Sequence, residues 1–264
     1  MPNYGARDVQ RLRQLTGVGM MDAKKALDAS DGDFEEATRW LREKGLSQSA
    51  KRADRANEQG AVAAANTGTA AALVELRSET DFVAKSPEFT ALVHELAAAV
   101  AEQGEQAVDE FKDQLDNLRI TLKENIDLGR VVRFEAVDGA VVDTYLHVQN
   151  DRGVNGVLVE LVGGDRELAH EIALHVASMR PQWLSRDEVP PERIQAEREV
   201  LETLTRNEGK PEQAVPKIVE GRLNGFFKDN VLLEQPYVRE AKQTISQLLG
   251  GARVTRFAQV EIGR

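Results

Sequence analysis

Two histidines beside a glutamate come nearest, in type and spacing, to metal chemistry. His170, Glu171 and His175 resemble the zinc motif H-E-x-x-H, but the second histidine comes one residue too late. On a helix, residues five apart lie roughly 140° apart around the axis, so the two imidazoles cannot meet at one ion. We therefore expect one histidine at the edge of the core and the other in solvent. A zinc hydrolase that uses His170 and Glu171 is an alternative that this spacing disfavours.

Two glycine-containing stretches resemble phosphate-binding loops only in part. Gly17-Val18-Gly19 precedes a helix, but no strand comes before it and the third glycine of a dinucleotide fingerprint is missing. We expect a tight turn between helices there. GKP at 209–211 lacks the upstream glycine and the Ser or Thr of a phosphate loop. The chain also has no cysteine, which excludes thiol nucleophiles and Cys-ligated zinc. We therefore expect no cofactor, no metal and no covalent catalysis.

The remaining candidate is TDFVAKSPEF at 80–89, a polar segment with a large apolar residue. Phe82 either folds back onto the core while Asp81 caps a turn, or is an exposed anchor that enters a partner's pocket. The residues alone favour the first interpretation. Met20 and Met21 pose a similar choice, because adjacent helical residues point about 100° apart. We expect one methionine in the core and the other exposed at an interface.

Composition restricts the class of protein. The 264 residues suffice for about two domains, and a net charge of −10 disfavours direct binding to nucleic acid. No window approaches the roughly 18 apolar residues of a membrane span, and the first ten residues lack the apolar run of a signal peptide. The expectation is a cytoplasmic globular protein without a membrane partner.

Residues 1–55 carry the apolar spacing of three short helices. Their stop signals are Gly17, the turn residue Gly32 and Gly45. The polar stretch SQSAKRADRANEQG follows and is typical of a linker. The sequence therefore predicts a small helical domain that folds independently of the rest.

From Gly60 onward the apolar spacing changes to that of strands. GAVAAAN and AAALVELR flank a turn, SETDFVAK is interpreted as a loop, and Ser86-Pro87 begins a helix. RVVRFEAV and AVVDTYLHV flank Asp138-Gly139, which predicts a β-hairpin between them.

A strand followed by a helix occurs twice in the chain. LVEL at 73–76 precedes HELAAAVA at 94–101, and LVEL at 158–161 precedes HEIALHVA at 170–177. The first separation is about nine residues longer, and the extra residues include SETDFVAK. If the unit is duplicated, this loop is where a function was added to a scaffold.

Residues 182–230 predict a polar helical hairpin that projects from the body. Pro190-Pro191 begins its first helix, and NEGKPE forms the turn to the second. The chain then returns with a short helix around Leu249 and a last strand, RVTRFAQVEI.

Five blocks of the sequence resemble bacterial elongation factor Ts, the nucleotide-exchange factor for elongation factor Tu. The blocks are LTGVGMMDAKKAL (15–27), TDFVAKSPEF (80–89), YLH (145–147), GKPEQAVPKIVEGRLNGFFKD (209–229) and EQPYV (234–238). They span nearly the whole chain in the family's order. The resemblance implies an α+β fold with an N-terminal three-helix UBA-like domain, a two-subdomain core with small antiparallel sheets, and an inserted antiparallel helical hairpin.

The resemblance also implies a division of the chain. The UBA-like domain with its linker occupies 1–55, and the first core subdomain occupies 56–139. The second core subdomain is made of 140–181 and 231–264. The helical hairpin at 182–230 is inserted between those two segments, and homodimerisation through it is left open because its faces are polar.

The resemblance assigns roles to a few residues. Thr80, Asp81, Phe82 and Val83 form the loop that intrudes near the partner's magnesium and loosens it. His147 falls on the family's core histidine, which reaches toward the phosphate-binding side of the partner.

A further group, Leu12, Met20 and Met21, lies in the N-terminal domain that grips the partner's nucleotide-binding domain. The implied function is guanine-nucleotide exchange on elongation factor Tu, in its GDP-bound and nucleotide-free forms, and the chain is not expected to be an enzyme. The alternative is a binding module whose N-terminal helices recruit a peptide or ubiquitin-like partner.

Overall fold

The computed structural model describes residues 3–263 as ten α-helices and eight strands. The helices are Ala6–Thr16 (α1), Met20–Ala29 (α2), Phe34–Ala50 (α3), Asp81–Ala84 (α4), Pro87–Gln103 (α5), Lys112–Leu122 (α6), Arg166–Met179 (α7), Pro191–Asn207 (α8), Val215–Asn230 (α9) and Ile245–Leu249 (α10). The strands are Gln59–Asn66 (β1), Ala70–Ser78 (β2), Asp127–Glu135 (β3), Ala140–Gln149 (β4), Arg152–Val162 (β5), Pro236–Tyr237 (β6), Glu240–Thr244 (β7) and Arg253–Glu261 (β8). Short 3-10 turns cover Glu105–Phe111, Arg186–Glu188 and Leu232–Glu234.

Helices α1, α2 and α3 form a three-helix bundle around a small apolar core. Leu12 and Leu27 are fully buried in it, and Asp33 caps α3 by accepting a hydrogen bond from the backbone N–H of Glu36. Gly17 adopts a φ of 70° at the end of α1, as a tight turn between helices requires.

Gly45 does not end the third helix, contrary to the sequence prediction. Helix α3 continues through it to Ala50. A Cβ at this position would lie 2.6 Å from Cγ1 of Ile120 on α6, so the glycine permits a close helix contact. Its role is packing rather than termination, a distinction that helix propensity alone does not make.

The core contains two three-stranded antiparallel sheets. The first sheet has the order β1-β2-β3, and the second has the order β4-β5-β8. In register, Val74 of β2 lies opposite Ala63 and Val131, and Leu158 of β5 lies opposite Thr144 and Ala258. Strands β6 and β7 form a separate two-stranded ribbon.

Asp138 and Gly139 do not form the predicted β-hairpin. They join β3, which pairs with β2, to β4, which pairs with β5. The Asp-Gly turn is present, with Gly139 at a φ of 72°, but it connects two sheets. Strands β3 and β4 each pair with an apolar central strand, β2 and β5 respectively, and not with each other. A local turn signal does not indicate which strand its neighbours will pair with.

Four layers result from packing the two sheets face to face. Leu73 of the first sheet and Leu158 of the second lie in one buried cluster between the sheets. Helices α5 and α6 cover the outer face of the first sheet through residues such as Phe89. Helices α7 and α10 cover the outer face of the second through residues such as Ile172. These observations confirm the predicted α+β class with small antiparallel sheets.

Helices α8 and α9 pack against each other as a hairpin inserted beside the second sheet. At its base, the backbone N–H of Trp183 donates to the carbonyl of Asn230, and that of Leu232 donates to the carbonyl of Trp183. Phe226 and Phe227 of α9 join Trp183 in a cluster of their own. Within residues 3–263, no helix is both long enough and apolar enough to span a membrane.

Candidate functional site

The segment Thr80–Val83 forms a single helical turn at the surface, between β2 and α5. The hydroxyl of Thr80 accepts a hydrogen bond from the backbone N–H of Val83 at 3.3 Å and so caps the four-residue helix α4. This helical turn was predicted as loop, and the predicted capping residue Asp81 is instead the first residue of the helix. Four consecutive residues are too few to display the helical spacing of apolar side chains, so the sequence pattern does not predict a helix of one turn.

Phe82 is exposed over 82% of its surface, on the outer side of this turn. The interpretation that it folds back onto the core is therefore wrong. A phenylalanine held outward on a capped turn is available to enter a partner's pocket, which agrees with the anchor interpretation.

Asp81 places a carboxylate next to Phe82. The Lys85 ammonium forms a hydrogen-bonded ion pair with it across one helical turn, and this pair lowers the pKa of Asp81 below its usual range. Arg152 adds a smaller electrostatic contribution in the same direction. Asp81 is therefore ionised at neutral pH, and the turn presents an aromatic ring and a negative charge side by side.

His147 lies on β4 with its side chain exposed. The Tyr145 hydroxyl is 3.3 Å from Nδ1 of His147, and the two rings stack with centroids 6.5 Å apart. His147 therefore has the exposure that contact with a partner requires, and its ring is oriented by Tyr145.

Arg152, the first residue of β5, connects the second sheet to the first. It lies opposite Gln149 in the β4–β5 ladder and donates to the carbonyl of Gly60 in β1 and, at 3.0 Å, to Oε1 of Gln59. The same guanidinium is close enough to Asp81 to lower its pKa. Arg152 thus joins the β4–β5 pair to β1, and no sequence pattern indicated this contact.

The N-terminal bundle presents methionines in a way that differs from the prediction. Both Met20 and Met21 are exposed, over 47% and 63% of their surface, so neither belongs to the core. Leu12 is fully buried and can only support the bundle from within. Leu15 is a further exposed apolar residue of the bundle, with 67% of its surface exposed just before the turn at Gly17.

The two histidines of the imperfect zinc motif lie in different surroundings, as their spacing predicts. His175 is fully buried on α7, where its Nε2 lies 2.9 Å from Oε1 of Gln235. His170 is partly exposed, with Nδ1 2.7 Å from Oδ2 of Asp143. Among residues 3–263, no group of three acidic or histidine side chains is arranged to hold a metal ion.

Comparisons with known proteins agree with the fold. A family model described as Elongation factor TS matches residues 79–264. A protein of Mycobacterium avium (strain 104) named Elongation factor Ts is 46% identical over 282 aligned positions, covering all of both chains. The protein of that name from Saccharopolyspora erythraea is 46% identical over 278 positions, and that from Mycobacterium tuberculosis (strain ATCC 25177 / H37Ra) is 45% identical over 278, each with full coverage of both chains.

Similarity of this extent over the full chain leaves one family assignment. The matched region includes the Thr80–Val83 turn, His147 and the helical hairpin. The chain belongs to the elongation factor Ts family of translation elongation factors.

Proposed function

We propose that this chain is a guanine-nucleotide exchange factor that binds elongation factor Tu–GDP, promotes GDP release and allows exchange for GTP. The observation that carries the proposal is the exposed Phe82 on a capped turn, in a chain of this family. An aromatic ring held outward is suited to entering a partner's pocket, and such anchors dominate the energy of interfaces.

The proposed action of the turn is to loosen the partner's hold on magnesium. Phe82 would displace an element of the partner, while the ionised Asp81 would lie beside the groups that keep the metal in place. Thr80 and Val83 would hold the backbone of the turn. In this proposal the factor binds neither metal nor nucleotide and performs no covalent step, so it is not an enzyme.

Exchange of this kind is a matter of negative coupling between two ligands. If the factor weakens nucleotide binding by some ratio, nucleotide weakens binding of the factor by the same ratio. GDP therefore leaves when the factor binds, and abundant GTP then expels the factor. Elongation factor Tu is therefore trapped neither in its complex with GDP nor in its complex with the factor.

Other contacts would come from two separate surfaces. Met20, Met21 and Leu15 are exposed apolar side chains of the bundle, and we propose that they grip the nucleotide-binding domain. His147 would reach toward the phosphate-binding side from β4. Leu12 is proposed as a supporting residue only. We place this activity in the cytoplasm, with no direct contact to nucleic acid.

A second copy of the chain is a further partner to consider for the hairpin. Val200 and Leu204 lie one turn apart on α8, and both are exposed. A homodimer through the hairpin would cover them. Analytical ultracentrifugation of the parent and of a Val200→Gln, Leu204→Gln variant decides between a dimer that the variant dissociates and a monomer in both.

Stopped-flow release of labelled GDP from the cognate elongation factor Tu tests the proposed function. We expect release to accelerate with increasing concentration of this chain. A module that merely recruits a partner would bind elongation factor Tu or a ubiquitin-like protein without accelerating release. A zinc hydrolase would instead hold stoichiometric zinc in elemental analysis.

A further inference from the structure

Glu124, between α6 and β3, accepts three hydrogen bonds at the start of the Thr80–Val83 turn. One of its carboxylate oxygens accepts hydrogen bonds from the backbone N–H groups of Glu79 and Thr80, each at 3.0 Å. The other accepts the hydroxyl of Thr80 at 2.6 Å. Three donors at one carboxylate define its position closely, because bonds to an ionised acceptor are short and strong.

These bonds continue directly into the cap of α4. The hydroxyl of Thr80 donates to Glu124 and at the same time accepts the N–H of Val83. The chain of bonds therefore runs from the backbone of the turn, through one hydroxyl, to the carboxylate of Glu124. A helix of one turn is unstable by itself, so an external acceptor is needed to hold it.

Glu124 is in turn fixed by its neighbours. Lys123 adopts a left-handed φ of 60° at the end of α6, and the N–H of Asn125 donates to Oε1 of Glu79 at 2.7 Å. The buried amide of Asn125 donates to the carbonyls of Ala53 and Arg55, at 3.0 and 2.7 Å. The glutamate is thus attached to the end of α6 and to the segment that follows the N-terminal bundle.

The exposed side chain of Phe82 contributes little to holding the turn in place. Because the ring is exposed, its direction depends on the backbone of residues 79–84, and Glu124 binds the first two N–H groups of that segment. We propose that Glu124 is a positioning residue, which fixes the direction in which the turn presents Asp81 and Phe82 and thereby increases the rate of GDP release. This inference rests on the proposed function of the turn.

The first test is GDP release with Glu124→Ala and Glu124→Gln, measured by stopped flow. We expect release to slow about 10-fold for the alanine variant, equivalent to about 1.4 kcal/mol. The glutamine variant should lie between it and the parent, since its carbonyl oxygen still accepts while its NH₂ group cannot. Glu102→Ala, at an exposed position on α5, is the matched control and should release GDP at the parental rate.

A double-mutant cycle separates positioning from a general loss of structure. In a chain that already carries Asp81→Ala and Phe82→Ala, the Glu124→Ala change should have no further effect on release, because there is nothing left to position. Hydrogen exchange of the free protein supplies a readout that does not depend on the partner. The amides of Glu79, Thr80 and Val83 should lose protection in Glu124→Ala while the amides of β2 keep theirs.

The outcomes distinguish this inference from the proposed function. Parental release by Glu124→Ala, alongside slow release by Phe82→Ala, would overturn the positioning role and leave the function intact. An equal slowing in the two backgrounds would also overturn it. Parental release by Phe82→Ala would contradict the proposed function of the turn, and unchanged protection of the three amides would then refute positioning independently. If the alanine variant fails to fold, Glu124→Gln answers the same questions.

Discussion

The two halves of the core share a three-stranded antiparallel sheet covered by helices, and they differ in the connection that leads from the central strand to the first of those helices. In the second half, β5 reaches α7 through residues 163–165, and Asp165 caps the helix by accepting the N–H of Leu168 at 2.9 Å. In the first half, β2 reaches α5 through residues 79–86, which contain α4 and the exposed Phe82. The added segment lies outside the sheet, so it supplies a contact surface without disturbing the core.

The central strands are alike even in a buried charge. Glu75 on β2 accepts the guanidinium of Arg77, and Glu160 on β5 accepts that of Arg256. Burial would raise the pKa of Glu160, but its bonds from Arg256 and Thr255 lower it overall. Matching strands, helices and paired glutamates are what duplication of one unit predicts. The added connection between β2 and α5, which carries the exposed Phe82, is therefore where we look for activity.

The largest expected effects test the shared scaffold. Leu96 on α5 and Ile172 on α7 occupy matching positions in the two repeats, and both are fully buried. Leu96→Ala and Ile172→Ala should each lower the free energy of unfolding by about 2–5 kcal/mol, through lost burial and the cavity left behind. Urea denaturation measures both. A loss below about 1 kcal/mol in only one half would break the equivalence.

The next largest effect is expected from a change in the connection between β2 and α5. Phe82→Ala should slow GDP release by about 30-fold or more, because an interface anchor contributes about 2 kcal/mol or more. Its unfolding free energy should change by no more than about 0.5 kcal/mol, since the ring is exposed. Val137→Ala is the control. Val137 is an exposed apolar residue in the segment that joins β3 to β4, and its variant should release GDP like the parent. A large loss of stability would mean that Phe82 packs against the protein.

A smaller effect, on the pH dependence of stability, is expected from a difference between α5 and α7. Helix α7 buries His175 at the position where α5 has Ala99. Burial lowers the pKa of His175, and its bond to Gln235 offsets this only in part. Below about pH 6.5 the unfolded chain takes up a proton that the folded chain refuses, so stability should fall with falling pH. The slope is at most about 1.4 kcal/mol per pH unit.

Denaturation at several pH values between about 5 and 7 measures the slope of the unfolding free energy against pH. This interval lies above the range in which carboxylates of ordinary pKa titrate. Protonation of Nδ1 would also break the bond that it accepts from the N–H of Val238. A His175→Gln variant should have a flatter profile, whatever its absolute stability. Equal slopes in the two proteins would assign the pH dependence elsewhere.

The smallest effect concerns the bundle, which contacts the first half of the core through α6. Gly45→Ala removes the flexibility of a mid-helix glycine, which alone should stabilise α3 by up to about 1 kcal/mol. The new methyl group would lie 2.6 Å from the Ile120 side chain, so we expect a net loss instead. Adding Ile120→Ala should turn that loss into a gain relative to Ile120→Ala alone. A gain from Gly45→Ala in the parent would contradict the close contact.

The sequence predicted elements and class well, because apolar spacing determines which faces are buried. The two LVEL strands, the helix that begins at Pro87 and the hairpin helices all formed as predicted. Partner strands were not predictable, as the Asp138-Gly139 turn demonstrates, since pairing depends on contacts distant in sequence. The division into domains stays a prediction.

At the candidate site, the turn was located by its unusual phenylalanine and by family resemblance. The exposure of Phe82 could not be derived from the residues, because apolar side chains are usually buried. Glu124 and Arg152 were not selected because each acts across a sequence separation of more than 40 residues, which a local pattern does not reveal.

GDP release by the Asp81→Ala, Phe82→Ala double variant tests the central claim most directly. The variant should melt like the parent, because both side chains lie outside the core. Its stimulated release should be at least about 30-fold slower, and the double effect should be less than additive because the two neighbours share one contact. A variant that melts like the parent and still releases GDP at the parental rate would remove this turn from the mechanism.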